Sequence, residues 1–180
     1  LLIFFLFFAL TLTFLREWFI KKRPTPSKIK QLQQDASKSI ALGEWKSAKK
    51  QLKILLEKRL GYPETLFIYL QLLHGLKLYD KAITIIEQEQ EFFSKELKLY
   101  QLKGKILLDL ELPNAALEAF QHCPHLLQSG ENQLDYLKAL IYSGETENAW
   151  KIIEPLIKEN PEIRLQVLAG DCQYKEANYM

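Results

Sequence analysis

The sequence predicts an all-α protein: an N-terminal transmembrane helix, then an α-solenoid of about four helix pairs and part of a fifth. Three observations predict it. A short pattern closing on alanine occurs four times, with Ala48, Ala82, Ala116 and Ala149 spaced 34, 34 and 33 residues apart. A fixed period in that range marks stacked helical repeats. The 180 residues hold only seven Gly and seven Pro among abundant Leu, Lys, Glu, Ile, Gln and Ala, a helix-forming composition with little turn chemistry. The first twenty residues are almost wholly apolar.

The repeated stretches read Gly43-Glu44-Trp45-Lys46-Ser47-Ala48, Lys77-Leu78-Tyr79-Asp80-Lys81-Ala82, Glu111-Leu112-Pro113-Asn114-Ala115-Ala116 and Gly144-Glu145-Thr146-Glu147-Asn148-Ala149. A bulky apolar residue follows each alanine by four positions: Leu52, Ile86, Phe120 and Ile153. That is one turn further along the same helix face. Twelve positions earlier stand Ala36, Leu70, Gly104 and Leu137. Ala36 with Ala48, and Gly104 with Ala116, are expected to let paired antiparallel helices approach closely.

Leu1 to Leu15 carry no charge; Arg16-Glu17 interrupt, and Trp18-Phe19-Ile20 resume before Lys21-Lys22-Arg23. Twenty helical residues span about 30 Å, the hydrocarbon thickness, so residues 1–20 are expected to form a single membrane anchor. Arg16 would snorkel to the interface and Trp18 would sit in it, with Lys21, Lys22 and Arg23 at the membrane surface. No basic n-region or Ala-x-Ala site marks a cleaved signal peptide. The chain opens on Leu rather than Met, and residues ahead of it are expected. Positive charge lies on the C-terminal side of the span, which predicts a cytoplasmic repeat domain.

Residues 16–60 carry 13 Lys/Arg against 4 Asp/Glu, whereas residues 61–180 carry 11 against 18. The basic half adjoins the anchor, where anionic lipid headgroups are a natural complement. A solvated lysine-rich helix face is the other reading.

Residues 21–27 form a basic, Pro-containing linker in which Pro24 and Pro26 end the first helix, and Ser27 is the expected N-cap of the next. The repeat domain, 28–180, begins with a pair over 28–61: helices 28–42 and 44–60, turned by Gly43. The second pair, 62–93, has helices 63–76 and 78–91, the first opened by Pro63 and apolar almost all round from Leu66 to Leu73, as an inner helix is. The third, 94–128, has helix 94–110 capped by Ser94 and helix 113–122 opened by Pro113 and stopped by Pro124. The fourth, 129–161, has helices 131–143 and 145–159, closed by Asn160-Pro161. Residues 162–180 are a partial fifth unit. Its Ile163, Leu165, Val167 and Leu168 are expected to pack on the fourth pair, and Tyr174-Lys175-Glu176-Ala177 echoes the alanine pattern. A terminal repeat presents a polar outer face; this one does not, and further sequence after Met180 is expected.

Across 28–161 these residues resemble the tetratricopeptide repeat (TPR) family. Tyr100, Gly104, Ala116 and Phe120 stand at its aromatic, glycine, alanine and aromatic positions. Gly43, Trp45, Ala48, Gly144, Ala149 and Pro161 match others. Leu70 and Leu137 replace small residues of the pattern, and Gln133 its first large one. One anchor followed by such repeats is similar to several bacterial inner-membrane proteins. Some of these are cytoplasmic regulators of lipopolysaccharide assembly; others are periplasmic helpers of protein export or of haem and cytochrome maturation. The resemblance implies a membrane-anchored protein–protein interaction scaffold whose concave surface binds a peptide or partner protein. The alternative it implies is a periplasmic chaperone or assembly factor. In the family's register, that surface exposes Lys30, Gln33, Ser37, Phe67, Gln71, His74, Gln101, Lys105, Leu134, Lys138 and Tyr142. Lysines from different repeats, together with amides, suit an extended, acidic or carboxylate-ended peptide. Gln33 and Ser37 replace the Lys/Asn pair of the family's carboxylate clamp and Gln71 its middle Asn, so chaperone-tail binding is not expected.

The remaining chemistry is sparse. His122-Cys123-Pro124-His125 lacks the second ligand pair that zinc requires, so no metal or cofactor is expected. Without a glycine-rich phosphate loop, serine elbow or paired carboxylates, the chain is not expected to be an enzyme. The repeat domain has only Arg59 and Arg164 as arginines, which argues against a nucleic-acid partner. Cys123 and Cys172 form no C-x-x-C pattern and fit a reducing compartment; a single disulfide between them is also open.

Overall fold

The computed structural model describes residues 24–89, 96–127 and 130–179. Among them are nine α-helices, one 3-10 helix and no strand. They are α1 (Pro26–Ala41), α2 (Trp45–Glu57), α3 (Glu64–Gly75), α4 (Tyr79–Gln88), α5 (Leu97–Asp109), α6 (Pro113–Gln121), α7 (Gly130–Tyr142), α8 (Thr146–Glu159) and α9 (Ile163–Tyr179), with the 3-10 turn at Pro124–Leu127. The predicted anchor, the charges Lys21, Lys22 and Arg23, and Ser94 lie outside the described residues. None of the described helices is long and apolar enough to cross a membrane.

The chain divides into two compact units, 1–69 and 70–180. The first contains α1, α2 and the start of α3. Thr25, not Ser27, caps α1: its Oγ1 accepts the Lys28 N–H at 3.3 Å. Pro26 takes the first helical position, where its missing N–H is no loss, so the helix begins inside the predicted linker. Ala36, Ala48, Leu52 and Leu55 are fully buried between α1 and α2, and Ser39 Oγ donates to Ser47 Oγ at 3.2 Å across the seam. Burying a leucine such as Leu52 contributes about 1.5–3 kcal/mol. Buried Thr65, near the start of α3, donates to Leu60 O at 2.6 Å and accepts from Gln33 Nε2 at 3.0 Å. Gln33 Nε2 also donates to Gly61 O at 3.0 Å. A Cβ on Gly61 would collide with Gln33 and Ile29, and Gly61 has φ +64°.

One connector joins the helices of every pair. Gly43, Lys77, Glu111 and Gly144 all lie at positive φ, between 57° and 90°, and each sits five residues ahead of its alanine. The N–H of the following residue bonds back to the carbonyl five positions earlier each time: Glu44 to Ser39, Leu78 to Leu73, Leu112 to Leu107 and Glu145 to Leu140, at 2.8–2.9 Å. This is the Schellman ending of a helix, with the left-handed residue at C′. The next residue has ψ of 51–66° in all four and starts the second helix without a side-chain cap.

In the second unit, α5 packs on α6, α6 on α7, α7 on α8 and α8 on α9, while α5 touches α7 and α7 touches α9. Its core includes Leu107, Ala116, Phe120, Leu137, Leu140, Ala149, Ile153, Leu168 and Cys172. Gly104 serves a neighbour other than the expected one: a Cβ there would lie 2.5 Å from Phe120 Cε1, so the ring rather than Ala116 requires the glycine. α8 runs through Pro155, which is exposed. In α9, Leu165 and Leu168 are buried as expected, but Ile163 and Val167 are 76% and 58% exposed. Apolar character alone places both in the core, yet both side chains stay largely open to solvent. Tyr174 to Ala177 lie within α9 rather than at a turn.

Candidate functional site

The first helices of successive pairs, α5, α7 and α9, touch in a row, whereas α6 and α8 share no such contact among the described residues. A stack tighter along its first helices bends toward them. On that side of the second unit lies a groove of about 550 Å³, within the range of small-ligand and peptide side-chain sites. α5 contributes Lys105, Leu108 and Asp109; α7 contributes Glu131, Leu134, Asp135, Lys138 and Tyr142; α9 contributes Ile163, Arg164, Val167, Leu168 and Asp171. On α7 the spacing is i, i+3, i+4, i+7 and i+11, one continuous helix stripe.

The groove is lined by apolar and charged side chains together. Tyr142 is 48% exposed, with Lys175 Nζ 5.8 Å from its ring centroid. Asp135, only 15% exposed at its side chain, holds Lys138 Nζ at 3.4 Å and Lys105 Nζ at 3.8 Å. Glu131 holds Arg164 Nη1 at 3.3 Å. Every cation lining the groove therefore has a carboxylate within 4.0 Å. Exposed pairs of this kind contribute little to stability, but they fix which charges a ligand meets. Four carboxylates face three cations.

Of the residues expected on the concave surface, Lys105, Leu134, Lys138 and Tyr142 line this groove. Gln33 does not offer a free amide, being bonded to Gly61 and Thr65. Gln101 Nε2 donates to Asn132 Oδ1 and so ties α5 to α7. His74 Nε2 donates to Asp109 Oδ2 at 2.6 Å, with its ring 5.7 Å from Tyr79. Burial and the Asp109 carboxylate raise the Tyr79 phenol. Phe67 and Gln71 are half-buried on α3, and Lys30 and Ser37 are exposed on α1; none of the four lines the groove. Asp109, Glu131, Asp135, Ile163, Arg164, Val167 and Asp171 were missed. The signal for Glu131 and Asp135 on α7 is their i, i+3 spacing from Leu134 and Lys138.

Among the described residues no group of three or more His, Cys, Asp or Glu is placed to hold a metal. Cys123 is fully buried with Sγ 4.0 Å from Ala119 O, and His122 stacks on Tyr100 at 4.5 Å. Cys123 and Cys172 are both free thiols; burial raises Cys123, and burial together with the Glu176 charge raises Cys172.

No family model, curated protein or solved structure matches this chain.

Proposed function

We propose that the chain is a membrane-anchored scaffold of TPR-like helix pairs, on the cytoplasmic side of its membrane, that receives a segment of a partner protein in the α5–α7–α9 groove. The four equivalent connectors support the repeat reading, and the apolar stretch 1–20 supports the anchor. One observation carries the binding role: α7 and α9 bring Leu134, Tyr142, Ile163 and Val167 together in one open groove that charged side chains also line. An acidic peptide would have to displace carboxylates already holding the lysines. The groove therefore favours apolar side chains as anchors, with a cation near Asp171, which forms no ion pair among the described residues. A helix-in-groove or extended segment presents such anchors.

The test is site-specific photocrosslinking of the full chain in its native membrane. A benzophenone side chain at Tyr142 or Val167 should capture one discrete partner, whereas the same probe at exposed Glu118 or Lys151 should not. Equal capture from all four sites would refute the groove reading. Sidedness needs a new cysteine at Lys151, because the native thiols are buried. Labelling by an impermeant reagent in intact cells would refute the cytoplasmic assignment.

A further inference from the structure

The outer face of α2 has no role in the groove. At about 100° per residue, Lys49, Lys53, Lys46 and Lys50 fall within about 100° of arc, turned away from buried Ala48, Leu52 and Leu55. All four lysines are exposed, and none has a carboxylate within 4.0 Å among the described residues. The lysines of the groove do, as does Lys158 with Glu154 at 2.9 Å. Lys46–Lys50 and Lys49–Lys53 are i, i+4 pairs of like charge, which weaken a helix. Glu57, one turn beyond Lys53, is exposed and unpaired with it. Ile54, 49% exposed, edges the lysine face with an apolar side chain. A helix that concentrates unneutralised ammonium groups beside an exposed isoleucine is complementary to a layered partner, anionic outside and apolar beneath.

We infer that this face of α2 docks on anionic lipid headgroups, which hold the first helix pair flat against the bilayer. The inference rests on the membrane-anchored reading. Chain geometry permits it: the Ser39–Ser47 bond fixes the antiparallel register, so Lys53 lies opposite Gln33, about 10 Å along α1 from Pro26. Residues 21–25 reach at most about 17 Å. Lysine is a compact point charge suited to a diffuse headgroup layer, and it lacks the planar fork that favours phosphate pairing in a nucleic acid.

The experiment uses the full chain in nanodiscs of phosphatidylcholine alone or with phosphatidylserine, with an environment-sensitive dye on Ile54→Cys. The emission should shift to the blue only with phosphatidylserine. The shift should be lost in about 1 M salt, where the Debye length is ~3 Å, and lost in K46Q/K49Q/K50Q/K53Q. The four-arginine variant should keep it. Emission that ignores phosphatidylserine, or a shift that survives the glutamine changes, would overturn the inference. So would lysine-dependent capture of a single-stranded oligonucleotide by phosphatidylcholine discs that show no phosphatidylserine response. A chain that does not enter the discs removes the anchor reading instead. The same dye is then read against added phosphatidylserine vesicles, and an unshifted spectrum there overturns this inference as well.

Discussion

Phe120 and Gly104 show how far one side chain can dictate another. The ring is completely buried and occupies the space a methyl group on Gly104 would need. Gly104→Ala should therefore destabilise the second unit by about 1–3 kcal/mol, the range for overpacking a filled core, as urea denaturation would register. A smaller ring partner, as in Phe120→Leu, should make the same alanine cheaper, and a double-mutant cycle would reveal the coupling. The two thiols make a second residue-level case. Their pKa values are raised in the fold above the ordinary 9.0, so as pH climbs past about 9 the unfolded chain loses these protons first. The stability they contribute is complete below that point and declines through the folded pKa. Melting temperature should fall from pH 8 to pH 10, and less steeply in Cys123→Ala/Cys172→Ala.

At the scale of the element, the connectors decide the pattern. Gly43 and Gly144 have open space around a would-be Cβ, so their substitution tests backbone conformation alone. Gly144→Ala should cost about 1–2 kcal/mol for forcing an L-residue into the left-handed region. Glu111→Gly, at φ 59°, should be neutral to stabilising by about 0.5 kcal/mol, since relief of strain opposes glycine's entropy. Thermal melts of the two variants check both signs. The helix pairs were legible because the alanine period and the 3.6-residue spacing act locally. The same spacing carries α8 across Pro155, as in the structure. The groove was legible only in part. Lys105, Lys138 and Tyr142 follow from repeat register, but Asp135 and Glu131 acquire their meaning from cations some thirty residues away. Ile163 and Val167 read as core in the sequence because an apolar residue at a surface site looks the same there as a buried one.

For the whole molecule, stability should be regional. From α4 to α9 each helix packs on its near neighbours in the chain, so damage at one end should spread by adjacent seams. Leu168→Ala, removing a side chain only 4% exposed on α9, should cost about 2–5 kcal/mol. In two single-tryptophan variants, Trp150 should report that loss at lower denaturant than Trp45 of the first unit does. An equal midpoint shift at both tryptophans would argue for one indivisible folding unit. The recurring left-handed junction has a further consequence for how such a chain can change its length. Because residues 77 and 111 end their helices in the same geometry, the 34 residues from Leu78 to Glu111 begin and finish at interchangeable cut points. Tandem copying of that cassette would lengthen the array without inventing a new joint, so natural size variants should differ by whole cassettes rather than by scattered insertions.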